Sequence, residues 1–154
     1  MMYKKDTTEL EKILEHTHPE KIADFMEENE ESLLNGKKDF VKYVRDRLKE
    51  KNLLKQDVFL RADVPLKYGY KILSGERTTG QRDFILRICY GAGFTLSETQ
   101  EALKLYGMGK LYARDTRDAL LMTCFNEHPG SIIDVNEILL ANKLEPLRPS
   151  GTQE

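Results

Sequence analysis

The sequence contains no tryptophan, only two cysteines and no long hydrophobic run. No apolar stretch approaches the roughly 18 residues of a membrane-spanning helix, and the N-terminus MMYKKDTTELEK lacks the apolar core of a signal peptide. Hydrophobic residues make up 40% of the 154 positions and charged residues 32%, which is typical of a globular protein of one domain with short extensions. We therefore expect a cytoplasmic protein that does not enter a membrane.

Residue patterns that carry catalysis or bind metals are also scarce. Cys89 and Cys124 lie in the apolar runs LRICYG and LLMTCF, where a cysteine is usually a small buried hydrophobe. His16 and His18 have the wrong spacing to share a helix face, and they have no cysteine or acidic partner in a metal-like pattern. The sequence has no recognisable glycine-rich phosphate loop and no nucleophile motif with its base. We predict a protein that is not an enzyme and uses no metal or cofactor.

The formal net charge of -2 hides an uneven distribution along the chain. Residues 1–34 hold 4 basic and 10 acidic side chains, residues 35–110 hold 16 and 9, and residues 111–154 hold 4 and 7. A basic middle between acidic ends is what a polyanion-binding module with acidic appendages would show. A solvated helix face produces charge runs as well, so charge alone does not decide the function.

Apolar spacing predicts helices along most of the chain, and strand signals are almost absent. Thr7 or Thr8 is predicted to cap the first helix, and Asn35-Gly36 to end the second. Thr95 with Glu98, and Asp134 with Glu137, have the spacing of capping boxes. The predicted helices cover residues 7–17, 19–35, 39–51, 55–62, 65–74, 80–90, 95–106, 115–125 and 134–142.

The short helix pair over 55–62 and 65–74, joined by Ala-Asp-Val, indicates a helix-turn-helix. Residues 38–106 resemble the lambda-repressor-like, or XRE-type, DNA-binding domain, with Asp63-Val64-Pro65, Gly69, Ile72, Gly75 and Arg77 at the places of the family's pattern. The motifs GERTTGQRD, ETQEALKLYG and LYARDTRDAL are similar to those of a group of XRE-type regulators from gut Firmicutes.

The resemblance implies an all-α fold, in which a five-helix lambda-repressor-like helix-turn-helix domain has N-terminal and C-terminal helical extensions. Its boundaries divide the chain into an acidic N-terminal extension over 1–34, the DNA-binding domain over 38–107, a C-terminal extension over 108–147 and a flexible tail over 148–154.

This chain departs from the family's pattern at three positions. Phe59 stands where the family has a small residue, and Gly69 stands where it has a branched aliphatic one. The two positions face each other in that fold, so we predict that Gly69 makes room for the Phe59 ring, since exchanges that conserve volume are tolerated best. Alternatively, Gly69 marks a recognition helix that no longer reads DNA. Asp63 replaces a glycine at the turn, and aspartate tolerates a left-handed backbone better than most residues.

The resemblance also implies which residues meet double-stranded DNA. The third helix of the fold lies in the major groove, and residues at the ends of neighbouring helices contact phosphates. The candidates for contacts with base edges are Leu66, Lys67, Tyr70 and Lys71. The candidates for phosphate contacts are Lys55, Gln56, Arg77, Thr78 and Thr79. Tyr68 is expected in the core rather than on the DNA-facing side.

Charged residues at the beginnings of two later helices are expected to have structural roles. Arg82-Asp83 and Arg114-Asp115 are predicted to form ion pairs or caps, and the segment with Arg117 is predicted to clamp a neighbouring helix.

Regulators of this family usually bind DNA as dimers, so a homodimer is expected. The apolar helices after residue 115 are either the dimer or partner surface or an addition to the core. A second hypothesis is a protein-binding adaptor that keeps the helix-turn-helix scaffold but has lost DNA binding. It is favoured by Gly69, Asp63 and the acidic N-terminal helices, which are also a candidate partner surface or a mask over the basic middle.

Overall fold

A computed structural model describes residues 5–30, 33 and 36–149, without the side chains of residues 36 and 37. The chain forms two compact units, Met1–Leu34 and Asn35–Glu154. Within the described ranges every regular element is a helix and no strand occurs, so the prediction of an all-α fold is confirmed. None of the helices in these ranges is both long enough and apolar enough to cross a membrane.

The first unit contains two short helices, α1 (Thr7–Glu15) and α2 (Ile22–Glu28), with a 3-10 turn over Pro19–Lys21 before α2. Asp6 caps α1, because its carboxylate accepts a hydrogen bond from the Glu9 amide at 2.8 Å. The prediction of a threonine cap was therefore wrong by one or two residues.

Helix α2 ends well before the predicted break at Asn35, which lies outside the described residues. Asn29 follows the helix with a φ of -118°, and its side-chain amide donates to the Phe25 carbonyl at 2.9 Å. The Asn29 backbone amide donates to the same carbonyl at 3.0 Å, so the Phe25 carbonyl accepts two hydrogen bonds at the end of the helix. Phe25 is the buried residue of α2, so the first unit has a small core.

The second unit contains seven helices among its described residues. They are α3 (Gly36–Lys51), α4 (Lys55–Ala62), α5 (Leu66–Leu73), α6 (Arg82–Gly91), α7 (Leu96–Leu105), α8 (Thr116–Glu127) and α9 (Ile132–Ala141). Each lies within three residues of its predicted bounds. The Thr95 capping box of α7 is present as predicted.

Helix α9 begins two residues before the predicted position, because a different pair forms its capping box. The Ser131 hydroxyl accepts from the Asp134 amide, and the Asp134 carboxylate accepts from the Ser131 amide at 2.8 Å. Asp134 is therefore the third helical residue rather than the cap. The predicted pairing with Glu137 was wrong.

Helix α6 lies at the centre of the second unit, with every residue from Phe84 to Gly91 buried. A Cβ atom at Gly91 would lie 2.5 Å from the Val58 carbonyl oxygen and 2.9 Å from the Ala62 nitrogen. Glycine at this position therefore allows α6 to pack directly against the backbone of α4, the first helix of the predicted pair.

Two ion pairs connect the beginnings of α6 and α8. Arg82 donates to both carboxylate oxygens of Asp118, at 2.6 and 3.1 Å, and Arg117 donates to both oxygens of Asp83, at 2.9 and 3.1 Å. Fork geometry of this kind is stronger and more directional than a single contact. The predicted structural role of these residues is confirmed, and Asp115 caps α8 as expected.

The segment after α9 is anchored to α6. The Arg87 guanidinium donates to the carbonyls of Ala62, Leu147 and Arg148, at 3.2, 2.9 and 2.8 Å. The Arg148 amide donates to Asp83 at 2.9 Å, and the Leu147 side chain is 2% exposed. Residue 148, the first of the predicted flexible tail, therefore has both its backbone amide and its backbone carbonyl hydrogen-bonded. Residues 150–154 lie outside the described part of the chain.

Apolar residues of the C-terminal helices divide between core and surface. Leu121, Ile132 and Leu139 are buried, whereas Ile133 and Leu140 on α9 are 63% and 60% exposed. The expectation that these helices thicken the core is confirmed for the buried set. The two exposed residues are seven positions apart and lie on one face of α9.

Candidate nucleic-acid interface

The turn between α4 and α5 has the backbone that the sequence predicts. Asp63 adopts a left-handed conformation, with φ 54° and ψ 52°, directly after α4. The Val64 amide donates to the Phe59 carbonyl at 3.1 Å, so the turn closes the end of α4 while the chain reverses toward α5. Pro65 then directly precedes the first residue of α5. Proline has no backbone N–H, but an N–H at the start of a helix has no partner within the helix, so no hydrogen bond is lost.

Gly69 and Phe59 contact each other across this turn. A Cβ atom at Gly69 would lie 2.6 Å from Cδ1 and 2.7 Å from Cε1 of the Phe59 ring, which is 0% exposed. The ring also packs edge-on against Tyr70, with centroids 5.0 Å apart. The prediction that Gly69 makes room for Phe59 is confirmed, and α5 remains a regular helix.

Helix α5 has one buried face and one outward face. Gly69, Ile72 and Leu73 are buried against the rest of the unit. The four residues proposed to meet base edges share the other face: Leu66, Lys67 and Tyr70 are exposed and Lys71 is half-buried. Their spacing places them on consecutive turns, so the fold brings this set together on one side of a short helix.

The proposed phosphate-contacting residues come before and after α5 along the chain. Lys55 and Gln56 begin α4, where backbone N–H groups also point outward. Arg77 and Thr78 are exposed in the loop after α5. The Arg77 amide donates to the Lys71 carbonyl at 3.1 Å, which fixes the loop against the end of α5.

Thr79 does not belong with these residues. Its side chain is 6% exposed, and its hydroxyl accepts from the Gln81 amide at 3.1 Å. Its own amide donates to the Tyr106 hydroxyl at 2.8 Å. Because Thr79 is buried and stabilises the turn into α6, we remove it from the phosphate-contacting set.

Comparison of the chain with protein-family models, with curated proteins and with solved structures finds no match. The assignment of this surface therefore depends on its own geometry and on the sequence motifs.

Tyr68 has the core role expected from the sequence. It is half-buried and packs edge-on against Phe84, with ring centroids 4.8 Å apart. The Arg77 guanidinium carbon lies 5.0 Å from the centroid of the Tyr68 ring. This cation–π contact orients Arg77 beside the outward face of α5.

Both cysteines are buried, as the sequence predicts, and burial raises the pKa of each thiol. Little reactive thiolate forms at neutral pH under these conditions. Within the described residues, no three histidine, cysteine or acidic side chains gather as a metal site would require. The His128 Nε2–H instead donates a hydrogen bond to the Phe94 carbonyl, 2.8 Å away, and the ring stacks on Tyr90.

A basic groove lies beside the proposed DNA-facing surface, and sequence reasoning did not assign it a function. It is lined by one face of α3 and by the turn at Ser74 and Gly75, and its volume is about 490 Å³. The cations on its α3 wall are Lys38, Lys42, Arg45 and Lys49. Their spacing of four, three and four residues was the signal that could have identified this stripe.

Proposed function

We propose that the chain is a sequence-specific DNA-binding transcriptional regulator of the lambda-repressor-like, or XRE-type, class. Residues 38–107 form its helix-turn-helix domain, and α5 is the recognition helix. The observation that carries this proposal is the α4–α5 pair itself. A left-handed turn at Asp63 and the Phe59–Gly69 contact fix two short helices together, and the second presents polar and cationic side chains outward.

In this proposal α5 enters the major groove and its outward face meets base edges. Lys67 and Lys71 donate to guanine O6 and N7, and the Leu66 side chain contacts a thymine methyl group. The Tyr70 hydroxyl reaches a base or a phosphate, while its ring stays fixed against Phe59. A good bidentate contact of a lysine with guanine discriminates against the wrong base by about 1–3 kcal/mol.

Phosphate contacts on both sides of α5 would set its register. Lys55 and Gln56 at the start of α4, and Arg77 and Thr78 after α5, are exposed or half-buried hydrogen-bond donors, which supports this role. These contacts would supply affinity without sequence preference. The Arg77 contact with Tyr68 reduces the side-chain entropy that binding would cost.

A homodimer would allow two recognition helices to read adjacent half-sites. The modest affinity of one small domain favours this arrangement, since half-sites one helical turn apart multiply the contacts. The exposed Ile133 and Leu140 on α9 support a self-association surface outside the α4–α5 pair.

The test is fluorescence anisotropy with a random duplex and with duplexes selected from a random pool, at two salt concentrations. Binding should weaken steeply with salt. Replacing Lys67 and Lys71 with alanine should weaken binding and blur sequence preference, whereas Lys55→Ala should lower affinity for all sequences and reduce the salt slope by about 1. Lys104→Ala on α7 is the matched control and should change neither property. If the Lys67 and Lys71 replacements change neither affinity nor preference, the groove assignment is wrong.

Exposed leucines beside the helix pair favour a second candidate, a protein-binding adaptor. Leu54 is 70% exposed before α4, and Leu60 is 63% exposed on α4. Binding of a partner protein would remove these apolar side chains from water. Absence of DNA binding at low salt would favour the adaptor, whereas DNA binding that survives Leu54→Ser and Leu60→Ser would favour the regulator.

A further inference from the structure

The basic groove beside α5 has the size of a small-molecule site. Its volume of about 490 Å³ lies within the range of ligand pockets, roughly 300–1,000 Å³. The cations Lys38 and Lys49 at its two ends are eleven residues apart on α3, which corresponds to about 16 Å along a helix.

The charge of the groove is strongly unbalanced. Among the described residues that line it, four are cationic and Asp46 alone is a carboxylate. Asp46 forms an ion pair with Lys42 at 3.0 Å. Neither Arg45 nor Lys49 lies within 4 Å of a carboxylate in the part of the chain that the structure describes, and both are exposed. Like charges at this spacing repel each other, so an anion that bridges them would relieve the repulsion.

The opposite wall is a rigid turn. Gly75 has a positive φ of 81°, and its amide donates to the Ile72 carbonyl at 3.2 Å. The Ser74 hydroxyl donates to the Lys71 carbonyl at 3.1 Å. Buried Val41 contributes an apolar patch to the lining. The groove therefore combines a fixed wall, a small apolar area and a row of cations.

We propose that this groove binds a small molecule that carries several phosphate groups, of the size of a nucleoside polyphosphate. Arg45 and Lys49 bind successive phosphates, the guanidinium by two parallel hydrogen bonds and the ammonium as a point charge. Lys42 contributes less, because Asp46 already holds it. The bound molecule lies against Ser74 and Gly75, at the end of α5. Binding itself does not depend on the proposed DNA-binding function.

The test is a titration of the ¹⁵N-labelled full chain with ATP and, separately, with sodium tripolyphosphate, followed by NMR. Saturable shifts are expected at the amides of Val41, Ser74 and Gly75. The double variant Arg45→Gln with Lys49→Gln should weaken the affinity at least tenfold. Asp46→Asn should tighten it several-fold, because the variant removes the carboxylate that competes for Lys42.

The control is Lys104→Gln with Lys110→Gln, which removes the same charge from another face. Equal weakening by the control and the groove variant, or shifts that do not saturate, would overturn the proposal. Shifts at Ser74 and Gly75 with duplex DNA but with neither phosphate compound would also overturn it and would leave the DNA-binding proposal standing. Thermal unfolding of each variant verifies that a lost signal does not reflect an unfolded chain.

Discussion

Replacement of Gly69 with alanine tests the packing on which the helix-turn-helix assignment rests. The added Cβ would lie 2.6 Å from Cδ1 of Phe59, about 1 Å closer than the 3.5–4.0 Å of an ordinary carbon contact. The ring is fully buried and also packs edge-on against Tyr70, so the added Cβ forces a shift of packed atoms.

Two effects of opposite sign determine the size of the change. Overpacking of a filled core costs typically about 1–3 kcal/mol, whereas alanine is better than glycine inside a helix by about 1 kcal/mol. We expect Gly69→Ala to lower the free energy of unfolding by about 1 kcal/mol. The melting temperature should therefore fall by about 2–4 °C for a protein of this size.

The measurement is urea unfolding followed by circular dichroism, with Gly80→Ala as the matched control. A Cβ at Gly80 would meet no atom within 4 Å, so that variant should be neutral or gain up to about 1 kcal/mol. In a Phe59→Ala background the ring is gone, and Gly69→Ala should then stabilise the protein by about 1 kcal/mol. If Gly69→Ala stabilises the protein while Phe59 is present, the contact does not constrain α5 and our interpretation of the glycine fails.

Three further predictions concern other parts of the second unit. Burial opposes ionisation of Glu98, but hydrogen bonds from the cap of α7 and from Lys51 outweigh it and lower its pKa. The ionised Glu98 side chain should therefore stabilise the protein above the ordinary glutamate pKa, and this stabilisation should be lost as the pH falls through the lowered pKa. Lys51→Met should reduce this loss, which acid unfolding curves measure. Cys89 and Cys124 should react with a thiol reagent only as fast as the protein unfolds, measured by mass spectrometry, because burial raises the pKa of both thiols. Arg87→Met should destabilise the protein by several kcal/mol in urea unfolding, because three backbone carbonyls lose their donor.

Each of these predictions has an outcome that would contradict it. An acid unfolding curve that Lys51→Met leaves unchanged would show that the contact between Lys51 and Glu98, 2.9 Å long, does not lower the pKa of Glu98. Rapid labelling of either cysteine in the folded protein would show that its burial is transient. An Arg87→Met variant as stable as the parent would show that water satisfies the carbonyls of residues 147 and 148.

Local signals predicted most of the helices but not the contacts between distant segments. Helix α4 lies at its predicted bounds because Asp63 ends it with a left-handed backbone, which aspartate tolerates better than most residues. The start of α9 differs from the prediction because Ser131 and Asp134, and not Asp134 and Glu137, form the reciprocal capping pair. The sequence indicated that Arg117 would form a clamp but not that Asp83 is its partner, since 34 residues separate them.

The candidate site was predictable where it depends on helix periodicity. The outward face of α5 follows from its buried positions, and the Phe59–Gly69 contact followed from an exchange of large and small residues. The burial of Thr79 was not predictable, because it depends on the Tyr106 hydroxyl of another helix. The groove along α3 required the turn at Gly75 to be placed opposite the cations.

The guanidinium of Arg87 has a consequence for how the molecule can be cut. It joins Ala62, the last residue of α4, to the carbonyls of residues 147 and 148. A truncation before Leu147 would therefore leave the buried Arg87 guanidinium with the Ala62 carbonyl as its one remaining acceptor among these three. A shortened chain designed to isolate the helix-turn-helix would then be a weakened version of the whole unit instead of a smaller independent one. Tags and fusions are best joined after Pro149, beyond these bonds.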